Sequence, residues 1–336
     1  MAVDAVPVAH LLWQLAVVVP LLEETPVEDL GAEAEAEAVV PAAAVVAVAA
    51  VAEVVKSVWN ASLPRLGVGL GYRDHYRTDV FRATASIEFL ELTADHFFDR
   101  KPGTETLLFL LSERFPLIPH GLGLSLGSVD GLDETYLSRL KELVLRVEPP
   151  WWSEHIAFTR AGGIDIGHLT PLPKTKASLA VLRQNVTRAQ QAIPLPLILE
   201  NITETIRFPH DSMDEASFLG ELVDICNCGL LLDVTNLYIN SVNHGFDPLQ
   251  VLHRLPADRI VQLHFVGFHR NGDTLVDSHG NETSSEIWQL LEEVVKYANV
   301  CGAILERDEN FPPFSQLTAE LEQMQLILET AISAPK

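Results

Sequence analysis

Leu197-Ile-Leu-Glu200-Asn201 and Gly229-Leu-Leu-Leu-Asp233 are short apolar runs, each closed by a carboxylate. Runs this short and this apolar read as strands buried on both faces, the form strands take in a parallel sheet covered by helices. Working outward, the same kind of run recurs at Leu66–Leu70, Ile87–Leu92, Phe115–Ile118, Trp151–His155, Ile260–Phe265 and Ala303–Glu306, with longer amphipathic stretches between. Asp133 is placed to cap a helix running to about Val147, and Thr283-Ser-Ser-Glu286 has capping-box spacing before Ile287. Eight strands alternating with helices over about 270 residues predict an α/β fold, a closed (β/α)8 TIM barrel. A doubly wound open sheet is disfavoured, because no GxGxxG follows the first strand. Gly67-Val-Gly-Leu-Gly lies within that strand and reads as close packing or a bulge.

Composition divides the chain near residue 60. Residues 1–60 are rich in Ala, Val and Glu and carry a net −8, leaving −15 of the total −23 for the rest. They predict a helical or mobile appendage, with residues 61–336 forming the barrel. The apolar run Ala38–Ala52 is shorter than the roughly 20 residues a membrane span needs. The acidic balance argues against nucleic acid and against docking by charge on an anionic membrane. Only three cysteines occur, Cys226, Cys228 and Cys301, which is neither a disulfide framework nor a structural zinc site. The N-terminus lacks a positive n-region, so the cytoplasm is the expected location.

Barrel enzymes place their chemistry where strands end. Six consecutive predicted strands here end on, or lead into, a metal-binding residue type. The third leads into His120, the fourth ends at His155, the fifth at Glu200 and the sixth at Asp233, with Asn236 and His244 beyond it. The seventh contains His264 and is followed by Asp277-Ser-His279; the eighth ends Glu306-Arg307-Asp308. Charged side chains directly after apolar strands are costly to bury unless paired or bound to a cation. Four histidines and four carboxylates converging on one mouth exceed the needs of a single ion, and two or three ions sharing carboxylates fit better. Imidazole and carboxylate without thiolate suit iron, zinc or manganese.

At these positions the sequence resembles the multinuclear non-heme iron-dependent oxidases, a UPF0276-like group also catalogued as domain of unknown function 692. The resemblance rests on Pro119-His-Gly-Leu-Gly-Leu-Ser-Leu-Gly, Trp152-Ser-Glu-His, Leu199-Glu-Asn, Leu231-Leu-Asp-Val-Thr-Asn-Leu-Tyr, Asn243-His-Gly-Phe-Asp-Pro, Gln262-Leu-His, Val276-Asp-Ser-His-Gly and Leu305-Glu-Arg-Asp, spread over about residues 64–325. It implies a xylose-isomerase-like barrel holding two or three irons, mixed Fe2+ and Fe3+, with dioxygen as co-substrate. It further implies oxidation of a residue, often cysteine, in a ribosomally made precursor peptide (a RiPP), presented by a partner protein. A homodimer is compatible with the sequence.

Carried over motif by motif, His120, His155, Glu200, Asp233, His264, Asp277, His279 and Glu306 are the ligand positions, with Asn236 and His244 as further ligands or supports. Asp233, Glu306 and Asp308 are the candidate catalytic residues, the first two anchoring the cluster. Arg73, Arg270 and Arg307 are candidate contacts to the peptide. The segment Glu91-Leu-Thr-Ala-Asp95-His96-Phe97 departs from the acidic-Asn-Tyr sequence usual in the group; Asp95 and His96 are therefore candidate determinants of substrate choice. Rival readings on a similar barrel are a sugar isomerase with two divalent ions, an endonuclease IV-like enzyme with three zincs, and a non-catalytic metal-binding protein.

Overall fold

A computed structural model describes residues 62–82 and 86–333 of the chain. The expected appendage, residues 1–60, and its Ala38–Ala52 run lie outside them. Twelve strands are present among the described residues: β1 (Gly67–Gly71), β2 (Phe89–Thr93), β3 (Leu117–His120), β4 (Trp152–His155), β5 (Phe158–Ala161), β6 (Ile164–Thr170), β7 (Leu197–Glu200), β8 (Gly229–Asp233), β9 (Ile260–Phe265), β10 (Gly267–Asn271), β11 (Thr274–Asn281) and β12 (Gly302–Leu305). Eight of them close a barrel in the order β1-β2-β3-β4-β7-β8-β9-β12, with β12 returning to β1. Every pairing in that barrel is parallel. The predicted strands at Leu197–Glu200, Gly229–Asp233 and Ile260–Phe265 have the observed bounds, and the others shift by one or two residues.

Helices wrap this barrel: α1 (Arg77–Arg82), α2 (Pro102–Ser112), α3 (Glu134–Val147), α4 (Lys176–Ala192), α5 (Glu215–Ile225), α6 (Val234–His244), α7 (Pro248–Leu252), α8 (Ser285–Tyr297) and α9 (Phe314–Ser333). Asp133 caps α3 by accepting from the N–H groups of Thr135 and Tyr136, as its position predicts. The expected capping box before Ile287 is displaced by one residue. Ser284, not Thr283, accepts from Ile287 N, while Thr283 is drawn away to donate its hydroxyl to Glu320 at 2.6 Å.

Two side-chain layers fill the barrel, and the period of two along a strand separates them. Phe89, Ile118, Trp151, Ile198, Leu231 and Ile304 pack together as an apolar floor. Full burial of an aliphatic or Phe side chain of this kind contributes roughly 1.5–3 kcal/mol. Two residues further along the same strands stand Glu91, His120, Ser153, Glu200, Asp233 and Glu306, all buried. Gly69 permits the close approach of β1 to β2, because a Cβ there would lie 2.6 Å from the carbonyl oxygen of Phe89. The alternate residues, among them Leu90, Leu199, Leu232 and Leu263, join the second core, between barrel and helices.

β5–β6 and β10–β11 form two antiparallel hairpins outside the barrel. Each leaves a strand at the end carrying the polar layer, so both stand at the mouth. Among the described residues no helix is long and apolar enough to cross a membrane.

Candidate metal centre

The polar layer gathers into three overlapping groups: His120, His155 and Glu200; Glu200, Asp233, His264 and Glu306; and His279, Glu306 and Asp308. Within each, one ligand atom per residue lies within 4.8 Å of the others. Glu200 belongs to the first two groups and Glu306 to the last two, so single carboxylates link all three. Barrel register explains the convergence: His155 is paired with Glu200, and Asp233 with His264. His279 comes instead from β11, in the left-handed region at φ 49°. A non-glycine residue there costs roughly 1–2 kcal/mol, and such strain collects at functional sites.

Hydrogen bonding decides which face of each imidazole looks inward. His155 Nδ1 lies 3.0 Å from the Gly121 carbonyl and donates to it, which leaves Nε2 aimed at Glu200 Oε2, 3.2 Å away. His120 turns Nδ1 to Ser153 Oγ at 2.8 Å and Nε2 to the same Glu200 oxygen at 3.3 Å. His264 presents Nδ1 to Glu200 Oε1 at 3.2 Å and to Glu306 Oε2 at 3.1 Å. His279 Nδ1 faces Glu306 Oε2 at 3.5 Å and Asp308 Oδ2 at 3.3 Å, and its Nε2 is 2.8 Å from Asp277 Oδ1.

Close as they are, several of these atoms make no hydrogen bond. Glu200 Oε2, Asp233 Oδ2, His264 Nδ1, Asp277 Oδ1 and both ring nitrogens of His279 are buried and unsatisfied. Orphaned buried acceptors carry a cost of about 1–3 kcal/mol each. Acceptors of this kind collected around shared carboxylates are what bound cations satisfy. The donor set of imidazole nitrogen and carboxylate oxygen is of the kind that suits iron, zinc or manganese. Asp233 shows the division of labour within one side chain: Oδ1 accepts from Asn236 N and caps α6, and Oδ2 is left bare.

Comparison with known proteins gives the family. The pattern of the family described as RiPP precursor modification enzyme MbnB/TglH/ChrH matches residues 67–329. The chain belongs to that family. It is 36 % identical over 257 residues to a UPF0276 protein of Caulobacter vibrioides, covering 76 % of this chain and 92 % of that one. It is 38 % identical over 280 residues to a UPF0276 protein of Streptomyces avermitilis, covering 80 % of this chain and 56 % of that longer protein. Among solved structures, a xylose isomerase domain protein of Alicyclobacillus acidocaldarius matches at TM-score 0.52 and 13 % identity, over 80 % of this chain and 100 % of that one. That likeness concerns the fold: a xylose-isomerase-like TIM barrel, as expected.

The family's barrel here carries strongly opposed charges. Burial raises the cost of ionising Glu200, but His264, His155 and His120 outweigh it and bring its carboxyl down to about 2. Burial likewise disfavours the His155 imidazolium, yet Glu200 and Glu154 pull it up to about 9. Asp233 goes the other way, to about 8, because burial and the neighbouring Glu200 and Asp277 all oppose a further negative charge.

The remaining candidates fall in different places. Arg73 reaches the centre's edge, donating from Nε to Asp308 at 2.6 Å and from Nη2 to Glu306 at 3.1 Å. Asp308 is partly exposed and joins His279 and Glu306; Asp277 contacts the centre through His279. Asn236 and His244 are not brought into the three groups. The Asn236 amide donates to Asn201 O and accepts from the Thr203 hydroxyl, and His244 Nε2 pairs with Glu204 O at 2.8 Å. Arg307 is a correction as a peptide contact: it is 3 % exposed and its guanidinium turns to Glu320, 3.1 Å away. Asp95 accepts from the Tyr136 hydroxyl at 2.7 Å, while His96 beside it and Arg270 on β10 are exposed.

Three buried acids escaped the sequence reading as parts of the site's surroundings. Glu91 contacts His264 Nε2 at 2.9 Å. Glu154 accepts from Leu124 N and His155 N, tying the loop after β3 to the end of β4. Glu204 joins Glu215 around Lys174 beside a small, partly open pocket that also touches Asn201. The signal for Glu91 was its spacing: it follows Phe89 by two, as Glu200 follows Ile198.

Proposed function

We propose that the chain is a multinuclear non-heme iron oxidase that uses dioxygen to oxidise a residue, cysteine, of a ribosomally made precursor peptide. The observation that carries the reading is the sharing of Glu200 and Glu306 among three donor groups with unsatisfied inward atoms, on a chain of a family described as modifying RiPP precursors. Iron held by these groups would supply electron exchange with dioxygen and acidification of a bound thiol.

The protein's own residues do the rest. Glu200 and Glu306 link neighbouring positions, and their anionic form is favoured by the surrounding imidazoles. Burial and the neighbouring Glu200 and Asp277 push the Asp233 carboxyl up to about 8, and a cation held beside it would favour its charged form. Arg73 holds Glu306 and Asp308 in place at the solvent edge. The two hairpins wall the mouth, limiting water at the reacting atoms. Asp95, His96 and Arg270 are the side chains we assign to the approach of the peptide, which a partner protein presents. A cytoplasmic setting keeps the substrate thiol reduced. Residues 61–336 are assigned to the catalytic barrel and residues 1–60 to an appendage outside the chemistry.

The test loads anaerobically purified protein with iron, adds a cysteine-containing precursor peptide encoded beside it, and follows oxygen uptake and peptide mass. Uptake and a mass change that require both iron and peptide are expected, with zinc-loaded protein inert. Metal binding without oxygen uptake would leave the isomerase-like, endonuclease IV-like or non-catalytic reading standing instead.

A further inference from the structure

We infer that Glu91, set by a buried relay from Trp151 through Gln262, is a positioning residue that fixes the tautomer of His264 and so opens its Nδ1 to a metal ion. The inference rests on the metal-centre reading above and assigns a role to three residues outside the donor groups.

The relay's polarity follows from its first member. An indole N–H only donates. Trp151 Nε1 lies 2.8 Å from Gln262 Oε1, so that atom is the amide oxygen and the amide nitrogen faces the other way. Gln262 Nε2 then donates to Glu91 Oε2 at 2.5 Å. The second Glu91 oxygen, Oε1, is 2.9 Å from His264 Nε2. Glu91 Oε1 is the nearest of the three carboxylate oxygens around the ring, so the single proton of the neutral imidazole sits on Nε2 and Nδ1 keeps its lone pair. Gln262 Nε2 also lies 3.3 Å from His264 Nε2, but the shorter contact to Glu91 governs. The bare Nδ1 points at Glu200 and Glu306, and no hydrogen bond satisfies it.

All four residues are 0–2 % exposed, so water cannot substitute for a missing partner. A carboxylate behind a ligating imidazole orients the ring and raises its basicity. The relay is anchored in the floor, since Trp151 is part of the apolar cluster beneath the polar layer. Core packing therefore sets the direction of a ligand's lone pair.

Glu91→Gln breaks the polarity. An amide at position 91 must turn its NH2 toward either Gln262 Nε2 or His264 Nε2. The first is a donor–donor clash; the second moves the His264 proton to Nδ1, where it blocks a metal. Adding Gln262→Glu restores every pair. The carboxylate now at position 262 accepts from Trp151 and from the amide now at position 91, and the carbonyl of that amide accepts from His264 Nε2–H.

The experiment measures zinc affinity by chelator competition and zinc bound per chain, in the full-length protein, for wild type, Glu91→Gln, Trp151→Phe and Glu91→Gln/Gln262→Glu. Circular dichroism of each metal-free protein accompanies it. Glu91→Gln is expected to weaken zinc binding roughly 10–100-fold with the fold retained. Trp151→Phe, which frees Gln262 to flip, should weaken it less, and the double variant should return most of the affinity. Rescue is the readout that a merely structural role would not move. Wild-type affinity in Glu91→Gln, or a double variant no better than Glu91→Gln alone, overturns the relay. A wild-type protein that binds no zinc or iron would overturn the metal centre itself, a distinguishable result.

Discussion

Two buried charged clusters sit near the mouth, and they solve the same problem differently. Around Lys174, one ammonium group lies against Glu204 and Glu215, so the cluster carries its own cation. In the barrel's polar layer, Glu200, Asp233 and Glu306 have histidines for neighbours, and Arg73 reaches only the outer edge. The first cluster leaves no orphaned atom among its own side chains, whereas the second leaves Glu200 Oε2, Asp233 Oδ2 and His264 Nδ1 without partners. Burial alone therefore does not mark a functional site. What marks it is charge that the protein itself does not complete.

The largest effect should come from removing the shared carboxylate. Glu200→Gln keeps shape but deletes the charge that links the first two groups, so iron content should fall to at most one ion and oxygen-dependent turnover should vanish. Circular dichroism should be unchanged, because metal binding rather than packing is lost. His264→Ala and Glu306→Ala belong with it. Full activity in Glu200→Gln would place the chemistry elsewhere.

Lys174→Met should give the opposite signature. It strands Glu204 and Glu215 without their cation, and removing one partner of a buried ion pair costs about 3–5 kcal/mol. Chemical denaturation should show that loss, while the fraction that stays folded binds its full complement of metal. Loss of metal without loss of stability would merge the two clusters into one site.

How much of this contrast the chain reveals before folding depends on the element. The barrel is legible because its strands are short apolar runs ending in His, Glu or Asp, and the period of two carries those ends inward. Glu91 is hidden inside Phe89-Leu-Glu-Leu-Thr, where a lone carboxylate in an apolar strand draws attention to the more familiar loop position at Asp95. Asn236 and His244 carry metal-binding chemistry but spend it, Asn236 Oδ1 on the Thr203 hydroxyl and His244 Nε2 on the Glu204 carbonyl, which only three-dimensional placement reveals. The hairpins signal themselves through Gly162-Gly163 and Asn271-Gly272, with Gly272 at φ 62°, but turn residues alone do not say that a strand pair lies outside a barrel. The Lys174 cluster joins residues far apart in the chain, with no local pattern to connect them.

A smaller effect concerns Glu215, whose carboxyl is pushed up to about 7, chiefly by burial and also by Glu204, against the pull of Lys174. A carboxyl raised in the folded state stabilises below its ordinary range, and that contribution fades as pH rises from about 4.5 through about 7. Glu215→Gln should therefore flatten the fall of stability with pH and raise the melting temperature at pH 8, with little change at pH 4. A variant less stable at pH 8 would show that the second carboxylate is needed beside Lys174. Thr274→Ala, on the exposed start of β11, should change stability by less than about 0.5 kcal/mol and leave metal content untouched. Deleting residues 1–60 should likewise leave metal content unchanged, since every donor lies at His120 or beyond.

The most direct measurement titrates the anaerobic, metal-free protein with ferrous iron in weak buffer, counting iron bound per chain and protons released. His155, held up to about 9, and Asp233, held up to about 8, are both protonated at pH 7 without a cation. Iron must displace those protons, so binding should release them and tighten as pH rises from 6 to 8. Two to three irons per chain with proton release is the expected result. A single iron per chain, or uptake that releases no protons and ignores pH, would contradict a shared-carboxylate cluster.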